Sequence, residues 1–295
     1  MRFPWGKWRK FVIPLFIFSG TMLLMDGCMQ FRMSKSEVDE YFVKKEKKGT
    51  LHQYTSGTRT MNYLEVGHDT TLPLVIFVHG SPGSLSAFID FMADSILLSK
   101  AQLVTVDRPG FGHSNFGNAE PSLQKQGALL RPILEDHKNK RPIILVGHSL
   151  GGPLIARMAM DFPELIDGLV LVAPSIDPEL EPDEWFRAPL ATPFLSWILP
   201  RSLRASNDEI YKLKPELEEM VPLWPKVRAS TIVIQGKKDN LVPPANADFA
   251  VKMITNAPVK VVMEEEMSHF VPWTDPQLIR NAILELLENG KLSAN

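Results

Sequence analysis

The chain has 295 residues, 44% of them apolar, and a formal net charge of −2 at pH 7. That allows one large α/β domain or two small ones with a substantial core, and excludes disordered and fibrous classes. There is no global basic field to draw nucleic acid, and the one cysteine, Cys28, excludes an internal disulfide and a thiolate metal cluster.

In chain order, Arg2, Lys7, Arg9 and Lys10 form a positive region ahead of the apolar run Phe11 to Met25, which Pro14 and Gly20 interrupt. At about fifteen residues the run is shorter than the roughly 20 a membrane-spanning helix needs and closer to a secretory signal. The sequence Leu24-Met25-Asp26-Gly27-Cys28 resembles the lipobox of bacterial lipoproteins, with Asp26 atypical of it. The resemblance implies that residues 1–28 target the membrane, that Cys28 carries lipid, and that the globular body lies outside the cytoplasm in a bacterial cell envelope. An uncleaved signal anchor is the alternative.

Residues 29–49 read as a linker helix, with Val38, Tyr41 and Phe42 on one face of a charged segment. Leu51 to Thr55 and Thr60 to Val66 alternate around Ser56-Gly57, which predicts a β-hairpin. Thereafter continuously apolar runs predict parallel strands covered on both faces: Leu74 to Val78, Leu103 to Val106, Ile143 to Val146, Leu169 to Val172, Thr231 to Ile234 and Val259 to Met263. Amphipathic patterns predict helices over Leu85 to Leu98, Leu154 to Phe162 and Pro276 to Leu287. The expected architecture is α/β, a mostly parallel sheet flanked by helices, with ligands at the carboxyl ends of the strands. Its core comprises residues 50–174 and 226–290. Residues 175–225, too many for an ordinary connection, read as a helical cap in which Trp185, Phe186, Phe194 and Trp197 would meet substrate.

Ile143 to Val146 run into Gly147-His148-Ser149-Leu150-Gly151-Gly152 and then a helical pattern. A serine at the apex of such a strand-turn-helix has a strained backbone, and neighbours without side chains make room for it. Its hydroxyl projects at the carboxyl edge of the sheet, where the N–H of Leu150 also faces. A serine needs a base. Of the seven histidines, His269 follows the last predicted strand at that edge, whereas His52, His68 and His137 lie in a hairpin or surface setting and His148 neighbours the serine in its turn. For the acid that orients the base, Asp239 follows the strand Thr231 to Ile234 and Asp177 follows Leu169 to Val172; Asp239 is preferred because it stands outside the cap. His79-Gly80-Ser81-Pro82-Gly83, after another strand, places the N–H of Ser81 as a second oxyanion donor beside Leu150.

With Asp107-Arg108-Pro109-Gly110-Phe111-Gly112-His113-Ser114 added, these motifs resemble the α/β-hydrolase superfamily from roughly Thr50 to Leu287. By that resemblance Asp107 and Arg108 shape a loop beside the site without taking part in the chemistry, and Ser268 departs from the glycine many members carry before the histidine. The expected activity is serine-dependent hydrolysis of small to medium apolar acyl or aromatic esters, with no metal and no organic cofactor. Aminopeptidase activity of the proline-iminopeptidase type, carbon–carbon bond hydrolysis and perhydrolysis are the alternatives on a serine. A non-catalytic binding receptor is a further one. The acidic run Asp177, Glu179, Glu181, Asp183, Glu184 is either a solvated face or a subsite for a substrate amine.

Overall fold

A computed structural model of the protein describes residues 25–136 and 141–292. The positive residues before position 11, the apolar run up to residue 24 and His137 lie outside these described residues. Among the described residues, no helix is long and apolar enough to cross a membrane.

The hairpin forms as the alternation predicts: β1 (Gly49–Ser56) pairs antiparallel with β2 (Arg59–Val66), Ser56 opposite Arg59. The other strands are β3 (Leu74–Val78), β4 (Gln102–Asp107), β5 (Ile143–His148), β6 (Gly168–Val172), β7 (Ser230–Gly236) and β8 (Val259–Glu264). All eight form one sheet in the order β1-β2-β4-β3-β5-β6-β7-β8, parallel from β4 to β8.

The pleat sends alternate residues to opposite faces, and each face is covered by helices. Ile76, Val78 and Leu145 pack with Leu130 and Ile133 of α2 (Leu123–Asp136) and Leu154 and Met158 of α3 (Gly151–Asp161). Val75, Phe77 and Val146 pack on the other side. There they meet Val38 and Phe42 of α1 (Lys35–Lys44) and Ile279 and Ile283 of the last helix, Pro276–Leu292. Both burials are nearly complete, so α1 is tied to the sheet.

Two expectations are corrected. Leu85 to Leu98 is not one helix: two 3-10 turns, Leu85–Phe88 and Phe91–Ala93, precede a short helix, Ser95–Leu98. Asp94 breaks the run, because its side chain accepts from the N–H groups of Ile96 and Leu97 and starts a new helix. The other correction concerns β8, which is only half buried. It is the edge of the sheet and has a strand on one side only.

Between β6 and β7 the chain leaves the sheet for an insertion. Short helices at Arg187–Leu190 and Pro193–Ser196 precede a long one, α4 (Arg201–Met220), whose Leu213 and Leu217 pack into the core.

Candidate active site

Ser149 stands where β5 turns into α3, with φ +54°, the left-handed region that a side-chain-bearing residue enters only under constraint. The turn is held from both sides, since the Ser149 N–H donates to the Val172 carbonyl at 2.9 Å and its own carbonyl accepts from Gly152 at 2.9 Å. The flanking glycines are sterically required: a Cβ on Gly147 would lie 2.4 Å from the Gly151 oxygen, and one on Gly151 would lie 2.2 Å from the Val78 oxygen.

His269 and Asp239 meet as the loop positions implied. His269 Nδ1 is 2.8 Å from Asp239 Oδ2, so Nδ1–H donates to the carboxylate and Nε2 is left as the acceptor nitrogen. The other carboxylate oxygen accepts from the N–H groups of Leu241 (2.9 Å) and Val242 (2.8 Å). Burial alone would raise the Asp239 pKa, but the bonds from His269, Val242 and Leu241 outweigh it and hold the group below the ordinary carboxylate value. Asp177, the alternative acid, instead caps the turn at Pro178–Leu180 by accepting from the Glu179 N–H.

Ser149, His269 and Ser81 line two adjoining chambers. One, about 470 Å³, is walled by apolar side chains, among them Pro82, Ala87, Leu241, Phe270 and Trp273. The other, about 440 Å³, runs under the insertion and carries polar groups, Ser175, Glu181, Glu184 and Arg187, beside Ile210 and Leu213. Leu150 also lines this second chamber. Among the described residues, neither the Ser81 N–H nor the Leu150 N–H is engaged in a hydrogen bond, which leaves both free to meet an oxyanion. Trp185, Phe186, Phe194 and Trp197 line neither chamber; they lie on the surface, Trp185 and Phe194 more than four-fifths exposed, at 83% and 81%. Aromatic composition marked the insertion but not the inward side of it. Cys28 is exposed.

Asp107 and Arg108 were expected to shape a loop beside the site; the contacts that they, His79 and His148 make there are what motif spacing did not show. His148 Nε2 donates to the His269 carbonyl at 2.9 Å, and burial, with His269 nearby, pushes its pKa down to about 3. It is therefore neutral and braces the backbone at His269. His79 links its neighbours in the same way, Nδ1–H to the Gly80 carbonyl at 2.6 Å and Nε2 accepting from the Arg108 N–H at 3.0 Å. Asp107 accepts from the N–H groups of Leu85 and His113, each at 2.7 Å, and burial lifts its pKa to about 7.

Arg108 carries the connection furthest. Its guanidinium is buried, donates to both oxygens of Glu209 on α4 (2.8 and 2.9 Å), and reaches the Gly80 carbonyl (3.1 Å) and Gln126 (3.1 Å). One side chain thus joins the turn after β3, α2 and the insertion. Burial raises the Glu209 pKa, and Arg108 opposes the shift. Removing one partner of a buried pair strands the other charge, so Glu209→Ala should lower stability by about 3–5 kcal/mol in urea unfolding. The double variant Arg108→Met/Glu209→Leu should recover part of that loss; a cost below about 1 kcal/mol for the single variant would show that water reaches the pair.

The eight-stranded, mostly parallel sheet with a serine at the β5–α3 turn defines the α/β-hydrolase fold. A family model described as alpha/beta hydrolase fold matches residues 73–197. Among curated proteins the chain is similar to an sn-1-specific diacylglycerol lipase of Mus musculus, 30% identical over 115 residues, or 38% of this chain and 36% of that protein. The matched stretch thus spans about a third of that relative's length. Of the solved structures, a membrane phospholipase A described as a bacterial virulence factor superposes with TM-score 0.64 at 17% identity, covering 95% of this chain and 97% of that one. E-2-(acetamidomethylene)succinate hydrolase superposes with TM-score 0.61 at 21% identity, covering 82% and 100%. These likenesses are of fold.

Proposed function

We propose that the protein is a serine hydrolase acting on carboxylic esters with small to medium apolar or aromatic acyl groups. The observation that carries this reading is one arrangement: Ser149 at positive φ shares a cavity with His269, whose Nδ1 is 2.8 Å from Asp239. Asp239 holds the His269 tautomer, and His269 Nε2 takes the Ser149 proton as Oγ attacks the acyl carbon. The N–H groups of Ser81 and Leu150 meet the oxyanion; the proton then passes to the leaving alcohol, and water resolves the acyl-enzyme. The lipase-type relative supports the ester as the bond cleaved. Labelling the purified protein with a fluorophosphonate, then measuring p-nitrophenyl esters of rising chain length, tests it: a modified Ser149 and ester turnover are expected, and a folded protein that takes up no probe would defeat the assignment.

A second reading, an aminopeptidase whose substrate amine meets the acidic run, draws on Glu181 and Glu184 in the second chamber. Both carboxylates are already engaged, Glu181 by the Ser175 hydroxyl and Glu184 by Arg187, which favours the ester.

For the amino terminus we propose that residues 1–28 attach the chain to a bacterial membrane with the globular body outside the cytoplasm. Asp26 is paired with Arg201, a contact that cleavage before Cys28 would remove, and this favours a retained signal anchor over a lipid-modified cysteine. Radiolabelled fatty acid incorporated by the wild type and lost in Cys28→Ser would reverse that preference.

A further inference from the structure

The apolar chamber has one wall that the rest of the domain does not supply. Phe31, from the stretch before α1, lines it together with Ser149 and His269, although more than a hundred residues of sequence separate it from either. Its backbone has φ +50°, an uncommon conformation for a bulky residue, so something must hold it there.

The restraints lie on both sides of it. Asp26 accepts from the backbone N–H of Arg201 at 2.7 Å and from its guanidinium at 2.9 and 2.7 Å. Pro200, at the N-cap of α4, offers no side-chain acceptor, so a carboxylate from a distant stretch occupies the helix start. The Ser202 hydroxyl donates to the Met29 carbonyl. Beyond Phe31, Arg32 donates to the Gly112 carbonyl, and His113 Nε2 lies 3.1 Å from the Met33 carbonyl. The guanidinium groups of Arg32 and Arg201 both lie over the Phe116 ring, at 4.3 and 4.8 Å from its centre. Residues 26–33 are thus clasped at one end to the insertion and at the other to the loop after β4.

We propose that this clasped segment is part of the substrate site: Phe31 closes the acyl chamber and sets its preference for chain length, and Asp26 is a positioning residue that acts through Phe31. The inference rests on the ester-hydrolase reading and names the chamber in which the acyl chain lies. The apolar side, with Phe31, Phe270 and Trp273 at its rim, suits a hydrocarbon chain, while the chamber bearing Ser175, Glu181 and Arg187 suits the polar alcohol. Phe31 is 46% exposed, so a chain passing beneath it would bury further ring surface. That gain grows with the length of the chain, and acetate is too short to collect it.

The test compares kcat and KM for p-nitrophenyl octanoate and p-nitrophenyl acetate, with the full chain in detergent. Phe31→Ala should lower the octanoate-to-acetate ratio of kcat/KM about tenfold, chiefly through KM for octanoate, and Phe31→Leu should restore most of it. Asp26→Asn should lower the ratio in the same direction by several-fold. Adding it to Phe31→Ala should change nothing further, because a residue that acts only through the ring has no effect once the ring is gone. An unchanged ratio in Phe31→Ala overturns the proposal, as does a double variant whose ratio falls by the product of the single effects. Hydrolysis of neither ester by the wild type would defeat the ester-hydrolase reading itself, and the acyl wall with it. Turnover of both esters with a ratio indifferent to residue 31 would defeat the wall alone.

Discussion

Ser149→Ala should abolish ester hydrolysis while leaving the protein folded. Removing the nucleophile of a serine triad lowers kcat on the order of 10⁶-fold, because the base, its orienting acid and the oxyanion donors have nothing left to act through. Alanine keeps the Cβ, and the two backbone hydrogen bonds at Ser149 do not involve the hydroxyl, so the turn at φ +54° should persist with its strain. The measurements are steady-state turnover, fluorophosphonate labelling and a thermal melt on the same preparations. An unchanged melting temperature with lost turnover and lost labelling is the expected result. Near-normal turnover in the variant would remove Ser149 from the mechanism and turn attention to a water-borne nucleophile.

Asp239→Asn should be nearly as damaging through a different cause. The asparagine can still present one oxygen to the N–H groups of Leu241 and Val242, so the loop should hold its shape. What it cannot do is accept from His269 with its amide nitrogen. With that nitrogen facing Nδ1, the imidazole would be driven to the tautomer protonated on Nε2, the atom that must take the serine proton. A loss of about 10⁴ in kcat is expected, with little change in the KM for ester. The same logic fixes the sign of the acid limb: the Asp239 pKa is lowered in the fold, so its contribution to stability is complete above the ordinary carboxylate value and is lost only as pH falls through the lowered one. A kcat for Asp239→Asn within about tenfold of wild type would mean that the His269 tautomer is set by another contact.

The buried pair of Arg108 and Glu209 bears on how far the insertion can move. Its bonds run from α4 to the Gly80 carbonyl, next to Ser81, so an insertion that swung away would expose two charges and loosen the turn. The clasp at Asp26 ties the start of the same helix to the segment that bears Phe31. Access to the serine is therefore expected along the rim of Phe31, Leu241, Phe270 and Trp273, without displacement of α4.

Local patterns in the chain determined most of the frame. The apolar runs became the sheet strands, and the hairpin formed around Ser56-Gly57, because strand period and turn chemistry act over a few residues. The loops bearing Ser149, Asp239 and His269 follow strands that end at one edge of a parallel sheet, so chain order was enough to expect their meeting. Periodicity failed at Leu85 to Leu98, where a hydrophobic spacing compatible with one helix is overruled by the Asp94 side chain. It could not orient the insertion either, since an aromatic residue has the same composition whether it faces solvent, as Trp185 does, or a cavity. Only the tertiary structure decided that Glu209 meets Arg108, that His148 binds the His269 carbonyl, and that Phe31 lines the same chamber as Ser149. Those contacts join stretches far apart in the chain, and their energies depend on burial and exact approach, which exist only after the layers have packed.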